Sequence, residues 1–81
     1  MEALSVIGEV LGIVRSLLGG WSHEEVDYYF ELALQTSDFT LAVRTNDRVA
    51  ARTIANGVAD YMRELRARDR QQLARPPHLL E

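Results

Sequence analysis

A chain of 81 residues forms one small domain, which buries a smaller share of its surface than a larger domain and is often completed by oligomerisation. The absence of cysteine excludes a disulfide framework and a thiolate metal site. A hydrophobic share of 47% argues against intrinsic disorder, and the net charge of −3 argues against a general nucleic-acid binder, because such domains are usually basic.

The charge is divided unevenly along the chain. Residues 1–40 carry seven acidic side chains and one arginine, a net charge of −6, whereas residues 41–81 carry eight arginines and five acids, a net charge of +3. Such asymmetry indicates a charged partner, or complementarity between the two halves within one chain or across a dimer. There is no lysine, and the planar fork of arginine suits phosphate and carboxylate groups, although a GC-rich coding sequence would produce the same bias.

A first helix is predicted for residues 3–18, because apolar residues recur at helical spacing over about half of its circumference. The opposite side carries a ridge of small residues that would allow a second helix to approach closely. The ridge consists of Ser5, Gly8, Gly12 and Ser16. Glu2, Glu9 and Arg15 interrupt the apolar pattern, and the start lacks the basic region of a secretory signal. We therefore expect no membrane span and a cytoplasmic location.

A second helix is predicted for residues 22–36, after a Gly-Gly pair ends the first. Ser22 and Glu25 form the pattern of a capping box, in which each side chain accepts a hydrogen bond from the backbone N–H of the other residue. One face carries the apolar side chains expected to enter the core, namely Val26, Tyr29, Phe30, Ala33 and Leu34. Tyr28 and Leu32 form a second apolar line on the far side, which predicts a second neighbour, either the rest of the chain or another copy.

Two further helices are predicted for residues 38–44 and 47–73, with a break or a new N-cap at residues 45–47. The pair Asn56-Gly57 is a turn signal inside the longer helix. The apolar pattern nevertheless continues through this pair, so we interpret Gly57 as a close-packing site and not as a turn.

The domain is expected to end at residue 75, because two prolines follow it. Residues 76–81 form a tail, and its Leu80-Glu81 end is typical of a cloning remnant. The predicted fold is all-α, a three- or four-helix antiparallel bundle of residues 1–75 that is completed as a homodimer.

The long helix would present a stripe of arginines on one side, at about 100° per residue. The stripe consists of Arg44, Arg48, Arg52, Arg63, Arg66 and Arg70. The inward side would carry Ile54, Val58, Tyr61, Met62 and Leu65. Between the two arginine clusters lie only Ala55 and Ala59, so nothing bulky would obstruct a flat anionic surface laid along the helix. These six arginines are the predicted binding residues.

Three interpretations of the stripe are open. In the first, it is a solvated face with local pairs such as Asp60 with Arg63 and Glu64 with Arg68. In the second, it binds an acidic surface, either on another protein or on a second copy of this chain. In the second copy, that surface would be the face of the second helix that carries Glu24, Asp27 and Glu31. In the third, it follows the backbone of duplex nucleic acid over roughly 39 Å. That layout resembles small helical dimers that bind double-stranded RNA by shape, including some viral silencing suppressors, without a shared motif. We expect a protein-interaction or oligomerisation module, with duplex nucleic-acid binding as the alternative.

Catalytic chemistry is not indicated by the sequence. The segment from His23 to Asp27 begins like the zinc-protease pattern H-E-x-x-H, but its second histidine is missing, and the other histidine, His78, lies in the tail. His23, Asp27 and Glu31 are better interpreted as a solvated helix face. No nucleophile elbow, glycine-rich phosphate loop or dinucleotide fingerprint occurs in the sequence. We therefore expect no enzymatic activity, metal, cofactor or small-molecule substrate.

Overall fold

The computed structural model describes residues 2–44 and 49–74, and these residues form an all-helical arrangement. Its helices are α1 (Glu2–Leu17), α2 (His23–Leu34), α3 (Ser37–Arg44) and α4 (Ala51–Ala74). The first three agree with the predicted ranges to within two residues. Helix α4 begins later than predicted, after a turn at residues 49–50. The break predicted at residues 45–47 and the tail over residues 76–81 lie outside the described residues.

Helix α2 begins at the capping box that the sequence predicted. The Glu25 backbone N–H donates to the Ser22 hydroxyl at 3.1 Å, and the Ser22 backbone N–H donates to the Glu25 carboxylate at 3.2 Å. These bonds satisfy two N–H groups for which the first turn offers no intrahelical acceptor. Just beyond the end of α2, the Thr36 hydroxyl donates to the Ala33 carbonyl at 2.8 Å. Local sequence therefore sets the start of α2, and a local side-chain bond supports its end.

Short side chains on α1 and α4 build much of the core, and these two helices share the most extensive contact among the described helices. On α1 a line of valines repeats every four residues and is fully buried, and on α4 a line of alanines repeats in the same way and is also buried. The two lines are Val6, Val10 and Val14 on α1 and Ala51, Ala55 and Ala59 on α4. Because alanine projects little beyond the backbone, it allows a neighbouring helix to approach closely.

The inward face of α4 differs from the predicted one. Val58 and Met62 are fully buried as expected, but three larger apolar side chains are only partly buried at its edge. These three are Ile54, Tyr61 and Leu65. Ala55 and Ala59 were predicted to lie open between the arginine clusters; they are fully buried, so that part of the prediction is wrong. The prediction weighted side-chain size, whereas close packing of helices favours small residues at the contact.

Helix α2 adds the second wall of the core. Four of its five predicted core residues are buried, and Leu34 is partly buried. The buried four are Val26, Tyr29, Phe30 and Ala33. Glu25 in the first turn of α2 lies beside Arg66, whereas Phe39, which follows α2 on α3, packs against Tyr61 with ring centroids 5.9 Å apart. Tyr29, one turn after Glu25 on α2, donates to Asp69, which lies three residues after Arg66 on α4, so the contacts advance in the same direction along both helices.

Gly57 lies within α4, which continues through it without a turn. A Cβ atom at this position would lie 3.3 Å from the Phe39 ring, tighter than an ordinary van der Waals contact. The interpretation of Gly57 as a close-packing site is therefore confirmed. The residue allows the α3 aromatic ring to lie against the backbone of α4.

We expect Gly8→Ala and Gly12→Ala each to raise the free energy of unfolding by about 0.5–1 kcal/mol, because alanine is the better helix former. Both glycines are exposed on α1, and an added Cβ would meet nothing within 4 Å among the described residues. Gly57→Ala is the control and should gain less, because the Phe39 ring must shift. Urea unfolding at one fixed protein concentration measures all three changes. A loss of stability at Gly8 or Gly12 would instead indicate that a second chain packs on this ridge.

Candidate functional site

The six predicted binding arginines are divided between two helices. Arg44 ends α3, whereas Arg52 lies in the first turn of α4, and a turn at residues 49–50 precedes α4. Arg48 lies outside the described residues. Arg44 therefore shares no helix with the other described arginines of the stripe, and the stripe as one continuous line along a rod is not found.

Arg66 is a packed side chain and not an outward cation. Its guanidinium lies over the Trp21 ring at 4.3 Å from the centroid, and its Nε atom lies 3.2 Å from the Glu25 carboxylate. Only 18% of the side chain is exposed. The Nε atom is buried and makes no hydrogen bond, so its contact with Glu25 is an ion pair without hydrogen-bond alignment. Arg66 joins α4 to both the start of α2 and the loop before it.

Arg63 and Arg70 flank Arg66 along α4 and are more exposed. Arg63 pairs with Asp60 at 2.7 Å, as the sequence predicted, and also donates to the Leu17 carbonyl at 3.4 Å. Arg70 lies 3.9 Å from the Glu25 carboxylate with 65% of its side chain exposed. The predicted pair between Glu64 and Arg68 does not form within the described parts of the chain.

Three of the predicted arginines meet in one shallow cavity of about 260 Å³. We call it the arginine cavity, and its lining is Trp21, Arg63, Arg66, Ala67 and Arg70. Sequence reasoning placed these arginines on one side of the helix but did not place Trp21 among them. The signal for Trp21 was its position immediately before the capping box, where an apolar side chain folds back onto the helix it precedes.

The pKa of Glu25 is lowered from its ordinary value. The largest cause is the hydrogen bond from the Ser22 backbone N–H, and the positive charges of Arg66 and Arg70 act in the same direction. Partial desolvation opposes the shift. This one carboxylate therefore caps α2 and links α2 to α4. Because the fold stabilises its charged form, protonation of Glu25 lowers the stability of the folded state.

We expect Glu25→Gln to weaken the pH dependence of stability under acidic conditions. Because the folded pKa is depressed, the stabilisation from Glu25 is present above about pH 4.5 and is lost as the pH falls through the lower folded value. The variant should be less stable than the unmodified chain at neutral pH, and the two should converge in acid. Glu64→Gln removes the same charge from an exposed site on α4 and serves as the control. Thermal unfolding at a series of pH values from neutral to acidic measures the stability of both variants. If the plots of stability against pH were parallel for Glu25→Gln and the unmodified chain, the lowered pKa of Glu25 would be contradicted.

A second surface lies where α2 faces the last turns of α4. A groove of about 380 Å³ opens there. We call it the tyrosine groove, and its lining is Tyr28, Tyr29, Asp69, Gln72 and Leu73. The Tyr29 hydroxyl donates to the Asp69 carboxylate at 2.7 Å, and this bond, with desolvation, raises the pKa of Tyr29 to about 12. The hydrogen bond fixes the floor of the groove.

Two large apolar side chains of the tyrosine groove are exposed. Tyr28 is 58% exposed and Leu73 is 85% exposed. Sequence reasoning identified Tyr28 as part of a second apolar line on α2, but it missed Leu73. The signal for Leu73 is its spacing: it lies eleven residues, about three helical turns, after the buried Met62, and so continues the inward line of α4. It is exposed because no described helix covers this last turn.

Features of other functional classes are limited in the described parts of the chain. Nowhere in residues 2–44 and 49–74 do three or more metal-ligating side chains cluster closely enough to hold an ion. His23, Asp27 and Glu31 are all exposed, but Asp27 is not free, because it pairs with Arg15 of α1 at 3.1 Å. None of the helices described here has the length and apolar character needed to cross a bilayer. In comparisons with known proteins, the chain matches no family model, no curated protein and no solved structure.

Proposed function

We propose that the protein is a non-enzymatic helical interaction module that pairs with a second copy of itself through the tyrosine groove. The observation that carries the proposal is the exposure of Tyr28 and Leu73 on the same groove. Leu73 lies on the same side of α4 as the buried Met62, but at a turn of α4 that α2 does not cover. Burying a leucine side chain stabilises an assembly by about 1.5–3 kcal/mol, so an uncovered inward leucine favours association.

The groove has the two features that a two-fold contact between identical chains requires. A symmetric interface uses the same surface on both partners, so this surface must carry both a projecting group and a recess. Leu73 projects from the last turns of α4, and the recess beside it is lined by Tyr28, Tyr29 and Asp69. A two-fold axis near the groove would insert the Leu73 side chain of each copy beside the tyrosines of the other.

The charges around the groove support the same occupant. Glu24 and Glu31 lie on the outward line of α2 that contains Tyr28, and both are exposed. Arg68 is exposed on α4, one turn before the groove residue Gln72. No ion pair of these three side chains occurs within the described ranges. A two-fold contact would bring the acids of one copy near Arg68 of the other, which sets orientation and association rate more than affinity.

The molecule has enough surface for such a contact. A stable interface buries about 800 Å² per partner, roughly one seventh of the 5765 Å² that this chain exposes. The groove alone is smaller than that, so the outward face of α2 and the last turns of α4 must both take part. A small domain gains most from such a contact, because its own core buries a limited share of its surface.

Sedimentation equilibrium over a concentration series tests the proposal. The unmodified chain is expected to approach twice its mass of 9.2 kDa as concentration rises. Leu73→Asp should raise the dimer dissociation constant by at least about tenfold, because it loses apolar burial and buries an unpaired charge. Leu41→Asp makes the same change at an exposed leucine on α3 and should leave association unchanged. A chain that stays at monomer mass throughout, or equal association of the Leu73→Asp variant and the unmodified chain, would contradict the proposal.

Duplex nucleic-acid binding is the alternative that the sequence suggested, and this geometry supports it less. Arg66 is held by Trp21 and Glu25, and Arg63 is paired with Asp60. Ala55 and Ala59, which were predicted to leave the helix surface open to a flat anionic partner, are buried in the core. Phosphate contacts along a backbone require exposed cations in a continuous line, and the described arginines do not form one.

A further inference from the structure

We propose that the arginine cavity binds a phosphate group, either inorganic phosphate or the phosphate of a monoester. Three guanidinium groups line one shallow space of about 260 Å³, and the indole of Trp21 closes one side of it. This site is separate from the tyrosine groove, with which it shares no lining residue. The proposal therefore does not depend on self-association.

The cations of the cavity are only partly neutralised by the protein. A single Glu25 carboxylate oxygen serves both Arg66 at 3.2 Å and Arg70 at 3.9 Å, while the other oxygen accepts from Ser22. Arg63 shares its charge with Asp60, an exposed carboxylate. Each guanidinium offers five N–H donors, and these contacts use few of them. The cavity therefore combines excess positive charge with unused donors.

Phosphate fits this combination better than a singly charged anion does. It carries a charge of about −1.5 to −2 at neutral pH and offers three acceptor oxygens to several guanidinium groups at once. Arginine binds such groups through two parallel hydrogen bonds from its planar fork. Trp21 and Ala67 supply the apolar part of the cavity wall beside the three guanidinium groups.

Arg70 and Arg63 are the residues expected to contact the ligand directly. Arg70 has 65% of its side chain exposed and only a distant contact with Glu25, so it can turn toward a bound anion without breaking the core. Arg66 is held against Trp21 and would contribute mainly through its charge. Occupancy of the cavity would alter the surroundings of the indole, because Arg66 lies over the ring.

Trp21 supplies the assay, since it is the only tryptophan in the chain. Titration with inorganic phosphate at constant ionic strength is expected to change its fluorescence in a saturable way. Arg70→Ala should weaken binding about tenfold or more, as the loss of a charge-assisted hydrogen bond implies. Arg63→Ala is expected to weaken phosphate binding as well, because Arg63 is the other residue expected to contact the ligand. Arg52→Ala removes the same charge outside the cavity and should bind phosphate like the unmodified chain.

Two further arms separate the sources of the phosphate group and test its specificity. Tighter binding of O-phosphoserine than of inorganic phosphate would assign the site to a monoester, and the reverse order would assign it to the free ion. Sodium chloride at matched ionic strength should produce no saturable change. An unsaturable phosphate titration, an equal response to chloride, or equal phosphate affinity for Arg70→Ala and Arg52→Ala would overturn the proposal. Circular dichroism of each variant confirms that the helices remain.

Discussion

Replacing Phe30 with alanine is expected to lower the free energy of unfolding by about 3–5 kcal/mol, the usual cost of removing a buried phenylalanine side chain. Phe30 is nearly fully buried on α2, within the same cluster as the α1 valines and the α4 alanines. A domain of this size has a total stability of about 4–12 kcal/mol. The substitution therefore removes a large part of it, because the short neighbouring side chains cannot move far enough to fill the space.

Thermal unfolding at one fixed protein concentration measures this effect, and the midpoint should fall by more than about 10 °C. Leu41→Ala removes a large apolar side chain from an exposed position on α3 and should change stability by no more than about 0.5 kcal/mol. Equal losses in the two variants would show that α2 does not pack its predicted face into the core.

Replacing Arg66 with alanine is expected to cost about 1–3 kcal/mol, far more than an exposed arginine on the same helix. Three contributions are lost together: the cation–π contact with Trp21, the ion pair with Glu25 and the packing of the aliphatic stem. Arg66→Lys keeps the charge but not the planar group that lies over the indole, so an intermediate loss is expected.

Arg68→Ala is the matched control for Arg66, because Arg68 is exposed two residues further along α4. Its loss should stay within about 0.5 kcal/mol. Urea unfolding of Arg66→Ala, Arg66→Lys and Arg68→Ala measures the free energy of unfolding that each variant loses. If Arg66→Ala and Arg68→Ala proved equally stable, Arg66 would be an ordinary surface cation, as the sequence interpretation held.

The start of α2 could be predicted from sequence because its determinants are local. Ser22 and Glu25 lie three residues apart, and their reciprocal hydrogen bonds form within a single turn. The core face of α2 was also predicted, since its large side chains recur at regular spacing. Both features depend on interactions within one helix, which the order of residues records.

The rotation of α4 about its axis could not be predicted in the same way. The predicted inward arc ran from Ile54 to Leu65, but the buried line combines only Val58 and Met62 of that arc with three alanines, Ala51, Ala55 and Ala59. The choice between the two depends on the partner: α1 offers valines at spacing four, and small residues on α4 allow close packing against such a surface. That information lies in another helix and not in the pattern of α4 itself.

The charged site was predicted in part for the same reason. Arg63, Arg66 and Arg70 do share one side of α4, as their spacing requires. Their roles differ because tertiary contacts assign them: Trp21 and Glu25 bury Arg66, while Arg70 stays exposed. Periodicity gives the side of a helix on which a residue lies, but it does not report which other element covers that side.

The most direct test of the proposed self-association is a nuclear Overhauser measurement on a mixture of isotope-labelled and unlabelled chains, filtered to detect contacts between different molecules. We predict cross-peaks between the Leu73 methyl groups of one chain and the Tyr28 ring protons of another, since both side chains are exposed on the same groove. Absence of these cross-peaks at concentrations where the mass is that of a dimer, or intermolecular contacts at Gly8 and Gly12 in their place, would contradict the proposed interface.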